Sequence, residues 1–454
     1  MYNPLFLPEI REMLAENSVA ELRECCTALH PARTAEFMEG LTAEETWRVL
    51  QHADEATRVE IFHYFELPKQ IEIVETQPQE EVAGLITKLA SDDRVDLLNE
   101  VDHEIVERLL PLLPSEERRD ILHLRSYPEG TAGAVMTTAF AKLAETLTIR
   151  QAFDELQHQA EGLETIYYVY IVDDQDTLRG LVSARQLVSH MGRPETKLKD
   201  VMETGLVTAE VDDDQEEVAQ KVARYDLLAI PVVDMQRRML GIITYDDVID
   251  VVREEATEDA HRSAAVAPLE ESYLTTSLIT LWWKRGMWLS ILFLAALMTA
   301  FSLSVYQKNL EQWAWLTIFI PMVISSGGNM GNQSATLVIT GMTSGDIRVT
   351  DWLRVVRREC VMGMMLGSVL GLMGLIAGCV MSEEARQPSA MLVIPLTVMS
   401  VIVCGSLTGA MLPLLFKRMG LDPALMSNPF VAGVMDILGI FIYMNVAYLF
   451  LAGY

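Results

Sequence analysis

At 454 residues the chain is long enough for two or three domains, and its formal charge of −29 is spread unevenly. From Gly286 onward eight acids balance eight bases, so the whole excess belongs to residues 1–285. An acidic half of this kind is a poor binder of nucleic acid and anionic membranes and a good collector of cations. Five cysteines with no CxxC spacing argue against a disulfide framework, thiol redox work and a structural zinc site.

The opening Met1–Leu14 has no basic segment followed by an apolar run, so the acidic half is expected to stay in the cytoplasm. Residues 1–128 read as an all-α domain of short helices. Leu14, Leu22, Leu29, Phe37 and Leu41 recur near helical spacing, followed by Val49, Leu50, Ile61, Phe62 and Phe65. Pro31, Pro68, Pro78, Pro111, Pro114 and Pro128 fall between the pieces. Ser91 is predicted to cap a helix whose first turn carries acid. Asp92 and Asp96 share a face of it and repel mildly unless something neutralises them. A solvated face and a metal site both fit this segment, the solvated face better.

An internal repeat follows. Ala134-Val-Met-Thr-Thr138 matches Asp200-Val-Met-Glu-Thr204, and each leads through a short strand and an amphipathic helix (Ile149–Gln159; Gln215–Arg224) to a strand ending in Val-Asp. Each then passes through Gly180 or Gly241 into a further strand and helix. The arrangement resembles a tandem pair of CBS domains over about residues 131–258, an α/β module that usually senses ligands in the cleft between its repeats. Thr244 and Asp247 stand where nucleotide-binding pairs offer hydroxyl to phosphate and carboxylate to ribose. The first copy has Ser183 and Gln186 there, so at most one adenosine site is expected.

Asp214 and Asp226 belong to the second copy. Asp247, Asp250, Glu254 and Glu258, with Glu255 and Asp259 beside them, step down the helix leaving it, in a connecting region over residues 248–280. Two carboxylates about 4 Å apart repel by about 4 kcal/mol at an effective dielectric of 20, so such a stripe stays compact against other acids only with cations between them. A solvated stripe is the plainer alternative; its place ahead of the first membrane segment favours cations.

Residues 281–454 are expected to form a membrane domain of five helices: Gly286–Tyr306, Trp313 to about Thr340, Val361–Met381, Ala390–Phe416 and Pro429–Tyr454. Lys284, Arg285, Arg348, Arg354, Arg357, Arg358, Lys417 and Arg418 flank one side, against Lys308 and Arg386 on the other. The positive-inside rule then places the N-terminus in the cytoplasm and the C-terminus outside a cell inner (plasma) membrane. Gly363-xxx-Gly367-xxx-Gly371 suits close helix packing, within or between subunits.

Two features of this half carry chemistry. Ser325–Thr336, dense in Gly and neutral oxygen side chains, is predicted to be a broken helix meeting protein or a wet cavity; close packing through small residues is the alternative. Asp436 is the only Asp, Glu, Lys, Arg or His in Pro429–Tyr454, about 10 Å from its cytoplasmic start. Acids at such depth usually mark an ion or proton path; a protonated, hydrogen-bonded structural Asp is the alternative.

The Gly-Gly-Asn-Met-Gly-Asn-Gln-Ser-Ala-Thr core of Pro321–Thr336, the run from Asp422 to Asp436 and the order of domains resemble the MgtE family of magnesium channels. The resemblance implies a homodimer in a lipid bilayer with its pore on the two-fold axis. It implies that Asp436 holds hydrated Mg²⁺ there, lined by Gly328, Asn329 and Asn332. It further implies Asp92, Asp96, Asp214, Asp226, Asp247, Asp250, Glu255, Glu258, Asp259 and Asp422 as cytoplasmic Mg²⁺ sensors. Mg²⁺ is the expected ion, with Mn²⁺, Co²⁺ or Ni²⁺ as further permeants, and ATP or another adenosine nucleotide at Thr244 and Asp247 as a modulator. No P-loop is present, so no ATP hydrolysis or other enzymatic activity is expected. The rival readings are a nucleotide-controlled solute carrier and a membrane-tethered sensor that conducts nothing.

Overall fold

The computed structural model describes residues 6–269, 273–274, 276–423 and 427–452. The chain forms two compact units, Met1–Arg253 and Glu254–Tyr454.

The first unit opens with short helices from Leu7–Glu16 to Ser115–Leu124. Pro31 and Pro68 stand in the first turns of Pro31–Met38 and Leu67–Thr76, where a missing N–H costs no intrahelical bond. Their apolar faces close around Ile10, Leu22, Met38, Leu50, Ile61, Phe62, Ile73, Ile86 and Leu97. Helix α1, Ser91–Glu100, departs from the expected cap: Ala90 occupies that position and Ser91 is already helical. The Ser91 hydroxyl is buried instead against the repeat motif. It shares a 2.9 Å hydrogen bond with Thr137 Oγ1 and accepts the Thr138 N–H at 2.8 Å.

The repeat folds as two matching three-stranded sheets. Strands β1 (Phe140–Ala144), β2 (Thr165–Val172) and β3 (Leu178–Ser183) pair in that order, parallel and then antiparallel. Helix α2, Ile149–Gln159, follows β1. Strands β4 (Ala209–Glu210), β5 (Ala229–Val233) and β6 (Met239–Thr244) repeat the pattern, with α3, Gln215–Tyr225, after β4. Thr137 bridges to Ile242 and Glu203 to Leu181, so each copy's motif lies on the other's last strand. A Cβ on Gly241 would stand 2.7 Å from Thr137 O, and one on Gly180 2.7 Å from Glu203 O, which accounts for glycine at both places. Helix α4, Tyr245–Ser263, leaves the second copy and passes from the first unit into the second.

The second unit holds α5 (Leu278–Val305), α6 (Ile320–Thr343), α7 (Trp352–Met381), α8 (Val393–Arg418) and α9 (Asn428–Leu451). Among the described residues four helices are long and apolar enough to cross a membrane: α5, α7 with its preceding turn, α8 and α9. The remaining helix, α6, has 24 residues and matches them in length, but its polar stretch sets it apart in composition. The expected break within Ser325–Thr336 is absent. The α-helix runs straight through it, and the tighter backbone sits just ahead, in the 3-10 turn Ala314–Phe319. The glycines of the stretch are used for packing, and the helix keeps its own backbone hydrogen bonds. On α7, Gly363, Gly367, Gly371, Gly374 and Gly378 are all buried. Cβ atoms on Gly363 and Gly371 would come within 3.0 Å of Val403 Cα and 2.9 Å of Pro395 O. That stripe therefore packs within one chain, against α8.

Candidate ion path and cation sensor

Helix α6 has two faces. Gly327, Gly331, Ser334, Ala335 and Val338 are buried on one side; Ser325, Asn329, Gln333 and Thr336 are exposed on the other. Along the buried side the backbones of α6 and α8 nearly touch, since a Cβ on Gly409 would lie 2.1 Å from Gly331 O. Helix α9 runs antiparallel beside them: Gly331 meets Val431, Gly328 meets Ala432, and Gly327 meets Met435. Asp436 follows Met435 and is half-buried, which sets it at the level of Gly327 and the polar face. Thr336 Oγ1 donates to Asn428 Oδ1 at 3.3 Å, tying the polar face to the start of α9. The Asn329 amide donates to Ser325 Oγ at 3.3 Å. Asn332 Oδ1 is buried and accepts no hydrogen bond. A face of amides and hydroxyls at membrane depth requires water or another copy of the chain in front of it.

The acids of the first unit fall into distinct environments. Asp92 is 9% exposed, with no partner for Oδ1. Burial holds its carboxyl well above the usual range, and Asp247, Asp93 and Glu164 push the same way. Asp247 is pushed up to about 6, by burial first, although Thr244 opposes the rise. Thr244 N–H donates to Asp247 Oδ2 at 3.1 Å and its hydroxyl donates at 2.5 Å. Glu164 is raised by burial and by Asp247, Asp93 and Asp246. His63 lies 2.8 Å from Asp93, whose carboxylate raises the imidazole. Asp96, Asp214, Asp226 and Asp250 are exposed. Asp214 caps α3 by accepting the Glu216 and Glu217 N–H groups, and Asp226 ends it in a left-handed conformation. In the first copy Ser183 and Gln186 form a capping box, the local counterpart of Thr244 and Asp247.

In the second unit Asp259 is raised by burial and then by Asp422, Glu255 and Glu258, with Arg262 opposing. Arg262 pairs with both Glu258 and Asp422. The fold thus draws Asp92 to Asp247, and Asp259 to Glu255, Glu258 and Asp422. Among the described residues no three of His, Cys, Asp and Glu are already gathered as a metal cage. Glu164, His63 and Arg262 belong to these groups and no spacing in the sequence singles them out. Asp93 stood beside Asp92 in the sequence, but which of two adjacent acids turns inward depends on the helix's final roll.

The sign of the pH effect follows. A carboxyl raised from 3.8 to about 6 binds its proton more tightly in the fold than in the unfolded chain. Stability therefore falls as pH climbs through that window, by about 3 kcal/mol at full deprotonation for this group, unless a cation replaces the proton. Asp247→Asn is expected to raise the melting temperature of the acidic half of the full-length protein by about 5 °C at pH 7.5 in chelator. The gain should shrink toward pH 4, and Mg²⁺ should add less to the variant than to the wild type. Equal melting of the two proteins in chelator would overturn this account.

Comparison with known proteins follows the same division. A family profile described as a divalent cation transporter matches residues 320–446. The MgtE intracellular N domain matches 29–130, and CBS domains match 132–193 and 198–254. The magnesium transporter MgtE of Thermus thermophilus is 35% identical, over 97% of this chain and 98% of its own. That of Enterococcus faecalis is 34% identical, over 74% of this chain and 73% of its own. A crystal structure of the cytosolic domain of the Mg²⁺ channel MgtE in complex with ATP is 33% identical with a TM-score of 0.51, covering 53% of this chain and 98% of that one. With a relative of that identity aligned over nearly its whole length, the chain belongs to the MgtE family of divalent cation transporters.

Proposed function

We propose that this chain is a Mg²⁺ channel that admits the ion passively and is closed by cytoplasmic Mg²⁺. The observation that carries the reading is the uncovered polar face of α6, whose Ser325 and Asn329 stand near the level of Asp436 on α9, with the unpartnered Asn332 Oδ1 about 8 Å further along the helix. Mg²⁺ sheds water reluctantly and is usually held by one or two carboxylates with several waters kept. In a homodimer, two copies of Asp436 would face one hydrated ion, with Gly328, Asn329 and Asn332 around it. The N-terminus lies in the cytoplasm and the C-terminus outside the inner membrane, as the basic flanks require. Mn²⁺, Co²⁺ and Ni²⁺ offer similar oxygen chemistry and are candidates for slower passage.

Gating follows from the acids. At low cytoplasmic Mg²⁺ the carboxyls around Asp92 and Asp247, and those around Asp259 and Asp422, repel. At high Mg²⁺ they are bridged, together with the exposed Asp96, Asp214, Asp226 and Asp250, in a compact state that shuts the path. Taking the open fraction from 99:1 to 1:99 needs about 5.5 kcal/mol of differential affinity, which several weak sites supply together. The ATP-bound relative supports a nucleotide at Thr244 and Asp247 that biases the same equilibrium.

The test is patch recording of the reconstituted full chain while cytoplasmic Mg²⁺ is titrated from zero. Current should fall steeply in the millimolar range. Joint replacement of Asp247, Asp250, Glu255, Glu258 and Asp259 by Asn or Gln should move the midpoint up about tenfold, the effect of losing about 1.4 kcal/mol of that differential. An unmoved midpoint would remove these acids from the sensor.

A further inference from the structure

Glu359 is the only acid in α7, and the ion path does not use it. It lies seven residues beyond Trp352, about 10 Å into the helix at 1.5 Å per residue. It stands at the cytoplasmic end of the span, next to Arg358, and a partly buried carboxylate there must find hydrogen-bond donors. Its Oε2 accepts the Ser334 hydroxyl of α6 at 2.7 Å and the Ser406 hydroxyl of α8 at 2.6 Å. Ser334 and Ser406 are 2% and 0% exposed, so both donors are committed inside the bundle. Among the described residues no Lys, Arg or His pairs with Glu359.

The place of this junction on α6 gives it a meaning. Ser334 is two residues from Asn332, about 200° around the helix, so it sits on the back when Asn332 looks forward. The neighbouring contact with α8 is glycine against glycine: Gly405 and Gly409 press on the carbonyls of Gly327 and Gly331. Such a contact fixes how closely two helices approach, and around it Val323 and Met330 of α6 share one buried apolar cluster with Val398, Val401 and Ile402 of α8 and Met435 of α9. Two hydrogen bonds to one carboxylate are strong and directional. They add a polar, directional stop to that apolar packing.

We propose that Glu359 is a positioning residue for permeation: its carboxylate, held between Ser334 and Ser406, sets the roll of α6 and so aims Asn329 and Asn332. The proposal rests on the reading of that face as the lining of the path, and its test separates the two. The full chain in liposomes carries Asn329→Cys, and its reaction with a charged, water-soluble thiol reagent is measured against the same protein lacking that substitution. Adding Glu359→Ala should slow labelling about tenfold, the worth of a hydrogen bond to a charged group, and raise Ca²⁺ passage relative to Mg²⁺ by a similar factor. Ser334→Ala, a small change that removes one of the two hydrogen bonds, should shift both readouts in the same direction by less. Glu359→Gln, whose amide oxygen still accepts hydroxyls, should restore labelling most of the way. Labelling unchanged in Glu359→Ala overturns the proposal, whether or not total flux falls. So does an equal loss of both ions with unchanged labelling, which marks a purely structural carboxylate. Shifted labelling in a protein that passes Mg²⁺ undiminished after Asp436→Ala would uphold the rotational stop and remove the path reading.

Discussion

Asp436→Ala is expected to lower Mg²⁺ flux through reconstituted full-length protein about a thousandfold. Counting only one unit of the ion's charge against one carboxylate at about 4 Å gives about 4 kcal/mol at an effective dielectric of 20, so about three decades of occupancy is a floor for a divalent ion. Asp436→Asn keeps the shape and loses the charge, so it should fail nearly as badly. The amides of Asn329 and Asn332 cannot compensate: they offer dipoles to an ion that must keep its waters. Because Asp436 is half-buried and bonded to no basic side chain among the described residues, neither variant should lose expression or melt earlier by more than a few degrees. Undiminished flux in Asp436→Ala, in protein that folds normally, would put the path elsewhere in the bundle.

The position of that acid was legible from the sequence because a lone acid in an apolar run marks either an ion path or a protonated structural group, and it lies half-buried on α9. The glycine stripe of α7 was legible too, since small residues every fourth position must meet something close. Its partner was not: the spacing cannot say whether α8 of the same chain or a second copy supplies the opposing face. The stretch Ser325–Thr336 shows a different limit. Pore lining and close packing are alternatives there by sequence, yet α6 has a packed side and an exposed polar side at once. Gly327, Gly331 and Ser334 fall on one side, and Ser325, Asn329 and Thr336 on the other. Glycine density suggested a break, but a glycine's freedom is unused when a neighbouring backbone fills the space beside it. In the acidic half, periodicity located helices and repeats, while the inward turn of Asp92 and the approach of Glu164 depend on packing between segments far apart in sequence. Ser91 illustrates the same point, read locally as a cap and bound instead to Thr137 and Thr138.

The division of α6 into two faces makes Gly409 the most sensitive packing position in the membrane half. A methyl there would stand 2.1 Å from Gly331 O, and one on Gly405 2.6 Å from Gly327 O. Both opposing atoms are backbone, so no side chain can rotate away and α6 must move off α8 as a body. Overpacking of this kind costs about 1–3 kcal/mol where side chains can adjust, and Gly409→Ala should reach or exceed the upper end. The expected results are a lower melting temperature in detergent and a loss of Mg²⁺ flux, because α6 carries Asn332 away from its place beside α9. Gly328→Ala is the control: its methyl would meet Ala432 Cβ at 3.5 Å, an ordinary contact, so stability should hold. The two glycines lie on one membrane bundle and differ only in what stands opposite. If Gly409→Ala melted like the wild type, the close backbone contact between α6 and α8 would not be what holds them. The α6–α8 spacing would then be looser, and α6 would not be held with Gly327 against Met435 beside Asp436.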